Sequence, residues 1–132
     1  MEKDRLNYVS GQILDAAIEV HKNLGPGLLE SVYEICLLEE LSNKGIRVQR
    51  QVVLPITYKG KVLSKEFCID LFVESEIIIE LKTVDKLLPI HEAQILTYLK
   101  LTNKKLGLLI NFNEVLLKDG FRRILNGHLP EL

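Results

Sequence analysis

Between Cys68 and Thr83 the chain reads CIDLFVESEIIIELKT. Two apolar runs flank a short polar turn, the pattern of adjacent strands buried in a sheet. Such strands constrain the fold strongly, because they need partners along their edges and cover on their faces. Each also carries one acid within its apolar run, Asp70 and Glu80. Alternation puts Ile78, Glu80 and Lys82 on one face and Ile77, Ile79 and Leu81 on the other. A hairpin loop at Glu74-Ser75-Glu76 pairs Val73 with Ile77 and sets Asp70 opposite Glu80, with Cβ atoms about 5 Å apart. Like charges so opposed are unfavourable, and burial adds a desolvation cost of roughly several kcal/mol per ion. A divalent cation between the carboxylates offsets that cost, and Lys82 adds a further positive charge. Spacing alone leaves open a register slipped by one residue, with the acids facing opposite ways and paired with surface lysines.

The flanking segments supply the cover. Val9, Ile13, Ala17, Val20 and Leu24 follow Leu6 at helical spacing, predicting a helix from about Asp4 to Asn23 that Gly25-Pro26-Gly27 ends. A second helix is expected over about Leu28 to Asn43, apolar around much of its circumference and therefore central. A hairpin follows, about Arg47 to Tyr58 and Lys61 to Val73, turning at Lys59-Gly60, with Pro55 favouring an edge or an irregularity. After the strand Ile77 to Lys82, Pro89 opens a helix to about Leu101, and KLGLLINF from Lys105 to Phe112 reads as an interior strand. About Gly120 to Ile124 adds an edge strand. The expected class is α/β (α+β), a central mixed β-sheet flanked by helices in the order α-α-β-β-β-α-β-β.

At 132 residues with neither repeat nor linker, one domain over 1–132 is expected. No segment resembles a signal peptide or approaches the ~20 apolar residues of a membrane span, so a cytoplasmic location without membrane partners is expected. Cys36 and Cys68 form no CxxC pair and read as buried free thiols. A net charge of −1 lacks the basic excess of a nonspecific nucleic-acid binder. The templates HExxH, GxxxxGK[ST] and GxSxG are missing, which sets aside zincin, P-loop and serine-hydrolase chemistry.

Other polar residues have ordinary roles when read singly. Glu30 shares a helical face with Tyr33, Leu37 and Leu41, and an acid in a first turn complements the helix dipole. Glu34 is its lookalike. Gln94 and Tyr98 lie four apart on one helical face, a turn after His91, where core or capping roles are the default. His21, on the apolar side of the first helix, reads as a core histidine and is kept as a supporting position only.

Taken together these residues resemble the PD-(D/E)XK nuclease superfamily, and Gly27-Leu28-Leu29-Glu30-Ser31-Val32-Tyr33 looks like the signature of its GxxExxY family. The resemblance covers nearly the whole chain and implies a restriction-endonuclease-like core. It matches Asp70 to the motif aspartate, Glu80-Leu81-Lys82 to the (D/E)XK element and Glu30 to the helix glutamate that many members add. Gln94 and Tyr98 look like the QxxxY element of the RecB-like branch. Ile69 stands where the motif proline would be, a loose position in the superfamily. The implied activity is Mg²⁺-dependent (or Mn²⁺-dependent) hydrolysis of phosphodiesters in DNA, or in RNA. The implied metal ligands are Asp70, Glu80, the Leu81 carbonyl and Glu30. Lys82 would be catalytic alongside the acids, Gln94 and Tyr98 would bind substrate, and His21 and Tyr33 would support the site. Rival readings are a nuclease-fold nucleic-acid-binding or protein-interaction module without turnover, and an interaction domain whose acids form salt bridges. No motif requires a homodimer, although a neutral, short domain would gain a longer binding surface from one.

Overall fold

A computed structural model describes residues 2–127, so the ends of the expected 1–132 unit lie outside the described residues. Helices α1 (Lys3–Leu24) and α2 (Glu30–Asn43) precede strands β1 (Val48–Tyr58), β2 (Lys61–Val73) and β3 (Ile77–Lys82). Helix α3 (Pro89–Thr102), strand β4 (Leu106–Asn111), a 3₁₀ turn (Leu117–Gly120) and strand β5 (Phe121–Leu125) complete the described chain. The five strands form one mixed sheet in the order β1-β2-β3-β4-β5. Only β3 and β4 run parallel, and α3 is the crossover that such a pair needs.

The alternation of β3 sorts the core into two layers. Ile77, Ile79 and Leu81 pack with Leu71, Val73, Leu106, Leu108 and Ile110 beneath α1 and α2. Ile78 faces the other way, joining Ile69, Phe72, Ile95 and Leu99 under α3. β4 is buried along its whole length, as its unbroken apolar run requires of an interior strand. Gly107 lets α3 lie close on β4, since a Cβ there would come within 2.9 Å of Ile95 Cδ1 and 3.0 Å of Ile95 Cγ1.

Two expectations are corrected. α2 buries a single stripe, Tyr33, Glu34, Leu37 and Leu41, and leaves Ile35, Val32 and Leu29 exposed, so it is a surface helix. Its apolar excess is spread round the helix, whereas α1 and the sheet cover only one side. Cys68 is exposed, because the β1–β2 hairpin runs beyond the helices that would have covered it.

The β2–β3 connection has the expected register: Val73 pairs with Ile77, Phe72 with Ile78 and Leu71 with Ile79. Glu74 and Ser75 both adopt positive φ near 54° to close the loop. The Glu74 carboxylate accepts from Arg5 Nη2 at 2.9 Å and from the Arg47 amide at 3.1 Å, tying the turn to α1 and to the start of β1. Pro55 lies on the edge strand at a register shift, as its missing N–H dictates.

Candidate active site

One irregularity in the sheet organises the site. Residues two apart on a strand normally share a face, yet Ile69 packs under α3 and Leu71 under α1 and α2. The β1–β2 ladder skips the step at which Gln51 would face Asp70, and Gln51 has φ of 51°. β2 therefore turns over at Asp70. The β2–β3 ladder also ends at Leu71 and Ile79, so the strands part where Asp70 would meet Glu80. Into that parting Asp70 extends its carboxylate, and Oδ2 accepts the Leu81 amide at 2.8 Å. The N–H and C=O of one strand residue face the same neighbour, so the Leu81 carbonyl opens toward the same gap. The Lys82 backbone faces β4 instead, its carbonyl accepting the Phe112 amide at 2.9 Å.

Glu80 projects on the α3 side and meets Asp70 there. Burial, then the Asp70 charge and a side-chain hydrogen bond with Asp70, push the Glu80 carboxyl up to about 9; Lys82 opposes this and Glu30 adds to it. At neutral pH the metal-free pair thus holds a proton on Glu80, which can donate to Asp70. Glu80 Oε1 is fully shielded and has no hydrogen-bond partner among the described residues. A buried carboxylate oxygen without a donor, beside a second carboxylate and a strand carbonyl, is the oxygen set that a hard divalent cation accepts. Among the described residues no three His, Cys, Asp or Glu side chains converge into a closed cage.

The remaining expected residues divide into two groups. Tyr98 of α3 stands over the pair: burial first, then the charges of Glu80 and Asp70, raise its phenol, while a hydrogen bond from Gln94 opposes the rise. Its ring stacks on Phe67 of β2 at 4.5 Å. Glu30, in the first turn of α2, is exposed and acts on Glu80 through its charge. Tyr33 and His21 spend their polar atoms elsewhere. The Tyr33 hydroxyl donates to the Gly25 carbonyl at 2.6 Å and accepts the Leu28 amide at 3.1 Å, while its ring stacks on Phe112 at 4.4 Å. It thereby ties down the glycine loop that leads into Glu30. His21 Nε2 bonds the Glu114 carbonyl at 2.8 Å. Glu34, the lookalike, is bound to Arg50 at 2.7 Å and to Gln51 Nε2 at 2.6 Å, which commits it to bracing β1 beside the point where β2 turns over.

Sequence reasoning missed Asn111. Its buried amide accepts the Val84 and Asn113 N–H groups at 3.1 and 3.2 Å and donates to the Val84 carbonyl at 2.8 Å, holding the segment after Lys82. An asparagine closing the KLGLLINF run was the available signal, since a fully buried amide needs partners.

A family model of the PD-(D/E)XK nuclease superfamily matches residues 7–124. Among solved structures, the crystal structure of SSO0001 is similar, with a TM-score of 0.54 and 23% sequence identity over 73% of this chain. That match covers 50% of the SSO0001 chain, so this chain spans about half its length. The likeness concerns the fold, which is restriction-endonuclease-like. No curated protein matches the chain. Because the family match runs from within α1 through α3 into β5, the chain belongs to the PD-(D/E)XK nuclease superfamily.

Proposed function

We propose that the chain is a Mg²⁺- or Mn²⁺-dependent nuclease that hydrolyses phosphodiesters in DNA, of the GxxExxY type and akin to the RecB-like branch. The observation that carries this reading is the donorless, buried Glu80 Oε1 beside Asp70, with Lys82 on the same strand face. Asp70, Glu80 and the Leu81 carbonyl would hold the cation, and Glu30 would complete the shell. A divalent ion bound there supplies positive charge that polarises a phosphate and lowers the pKa of a bound water. The Lys82 ammonium orients the attacking water and stabilises the negative charge developing on phosphorus oxygens. Gln94 and Tyr98 position the scissile strand, beside a hollow of about 300 Å³ lined by Ile90, His91, Ala93, Gln94 and Thr97.

The test is a cleavage assay on single-stranded, duplex and branched DNA in Mg²⁺, with calorimetric titration of Mn²⁺. Lys82→Ala should lower the rate by roughly 10²- to 10³-fold, the loss expected for one charge-stabilising donor. Asp70→Ala should abolish ion binding. Full activity in Lys82→Ala, or an equal Mn²⁺ isotherm for Asp70→Ala, would remove this proposal in favour of a module without turnover.

A further inference from the structure

Beyond the acid pair, β1 and β2 continue as a two-stranded arm. β3 pairs with β2 only from Leu71 to Val73, while β1 pairs with β2 out to Tyr58 and Lys61. The tip turns through Lys59 and Gly60, both at positive φ, the pairing that a tight two-residue hairpin requires. At its base Leu54 and Phe67 pack against the core under α3 and Ile56 is half-buried; further out a two-stranded ribbon is marginal in water by itself, yet this one exposes Tyr58 and Leu63 and every residue from Lys61 to Glu66.

The arm's two faces differ in charge. Cross-strand pairing sets Tyr58 opposite Lys61 and Leu54 opposite Phe67, on either side of a register shift between Pro55 and Thr57. Local alternation adds Leu63 to the face of the first pair and Lys65 to that of the second, and the even spacing between the pairs on both strands keeps the two in line. Glu66 belongs to the other face, so this one carries only positive charge. It runs into the acid pair: Phe67 stacks on Tyr98, whose phenol feels the charges of Glu80 and Asp70. At about 3.3 Å per residue the stretch from Lys61 to Asp70 reaches about 30 Å.

Resting on the nuclease reading above, we infer that this face of the arm is a track for a single-stranded nucleic-acid segment leading into the acid pair. Lys61 and Lys65 contact its phosphates, while Tyr58 and Leu63 meet unstacked bases. An exposed ring and a leucine interleaved with lysines suit bases whose faces are free, which a duplex presents only at its ends. The arm also accounts for strand binding by a chain whose net charge is −1, because the basic residues are gathered on one surface.

The test is binding of a labelled 20-nucleotide single-stranded DNA, and of the same sequence as a duplex, to the full chain in EDTA across a salt series. The single strand should bind at least tenfold more tightly than the duplex. Tyr58→Ala should weaken it about tenfold, the effect of one lost stack, and Lys61→Ala/Lys65→Ala should flatten the log–log salt slope by about 1.4. Both variants should melt like the wild type and keep its Mn²⁺ isotherm. The inference falls if the wild type binds neither probe, if the duplex binds as tightly, or if the arm variants bind like the wild type. Arm-dependent binding without cleavage in Mg²⁺ would sustain the track and remove the catalytic reading; cleavage unaffected by the arm variants would do the reverse.

Discussion

Glu80 sits where an ionised carboxylate is costly, and that cost has a measurable sign. In the folded, metal-free chain it keeps its proton to about pH 9, against an ordinary value of 4.5. Between those values the folded state binds more protons than the unfolded one. Its stabilising contribution is therefore complete below about pH 4.5 and is lost as pH rises toward 9. Thermal melts in EDTA should show Tm falling over that window, with the decline reduced in Glu80→Gln. At pH 8 that variant should melt roughly a few degrees higher than the wild type while binding no Mn²⁺. A lower Tm for Glu80→Gln would contradict the assigned burial and charge. In the proposed site an ion would take the place of the proton, so Mn²⁺ binding at pH 7 should release protons, detectable as a buffer-dependent binding enthalpy.

At the scale of elements, contacts outside the acid pair hold the helices that flank it. Tyr33 joins α2 to the loop before it through two hydrogen bonds. Tyr33→Phe removes these two part-buried hydrogen bonds and should cost about 0.5–1.5 kcal/mol for each in urea unfolding. Gly107→Val forces a side chain into Ile95 at the α3–β4 contact and should destabilise by about 1–3 kcal/mol. A neutral result would show that α3 can lift away, and with it Tyr98. Elements were legible where periodicity was strong: α1, β3 and β4 lie close to their predicted spans because each has an unambiguous apolar pattern. α2 was misjudged as central because its composition says how apolar a helix is and not how many neighbours arrive to cover it.

Across the molecule, a cation held by the acid pair as proposed would couple folding to ligand. Saturation with a cation at about 100 times its Kd should stabilise the chain by about 2.7 kcal/mol, seen as a Mg²⁺-dependent rise in Tm that Asp70→Ala removes. The turn that pairs β2 with β3 is clamped from a distance by Arg5 of α1 and by Arg47. Arg5, and then the Arg47 amide, hold the Glu74 carboxyl below its usual range, so this clamp contributes in full above the ordinary value of 4.5 and is lost as pH falls through the lowered one. From the sequence alone came the class of fold, the order of its elements, and Asp70, Glu80 and Lys82 as the residues to watch, because strand alternation and short-loop geometry act over a few residues. Only the tertiary structure decided between the two registers. It also turned β2 over at Asp70, reserved Glu34 for Arg50 and Gln51, and made Asn111 the anchor of the segment after Lys82. Those outcomes depend on which distant segments arrive to accept a hydrogen bond or exclude water, and local spacing carries no record of that.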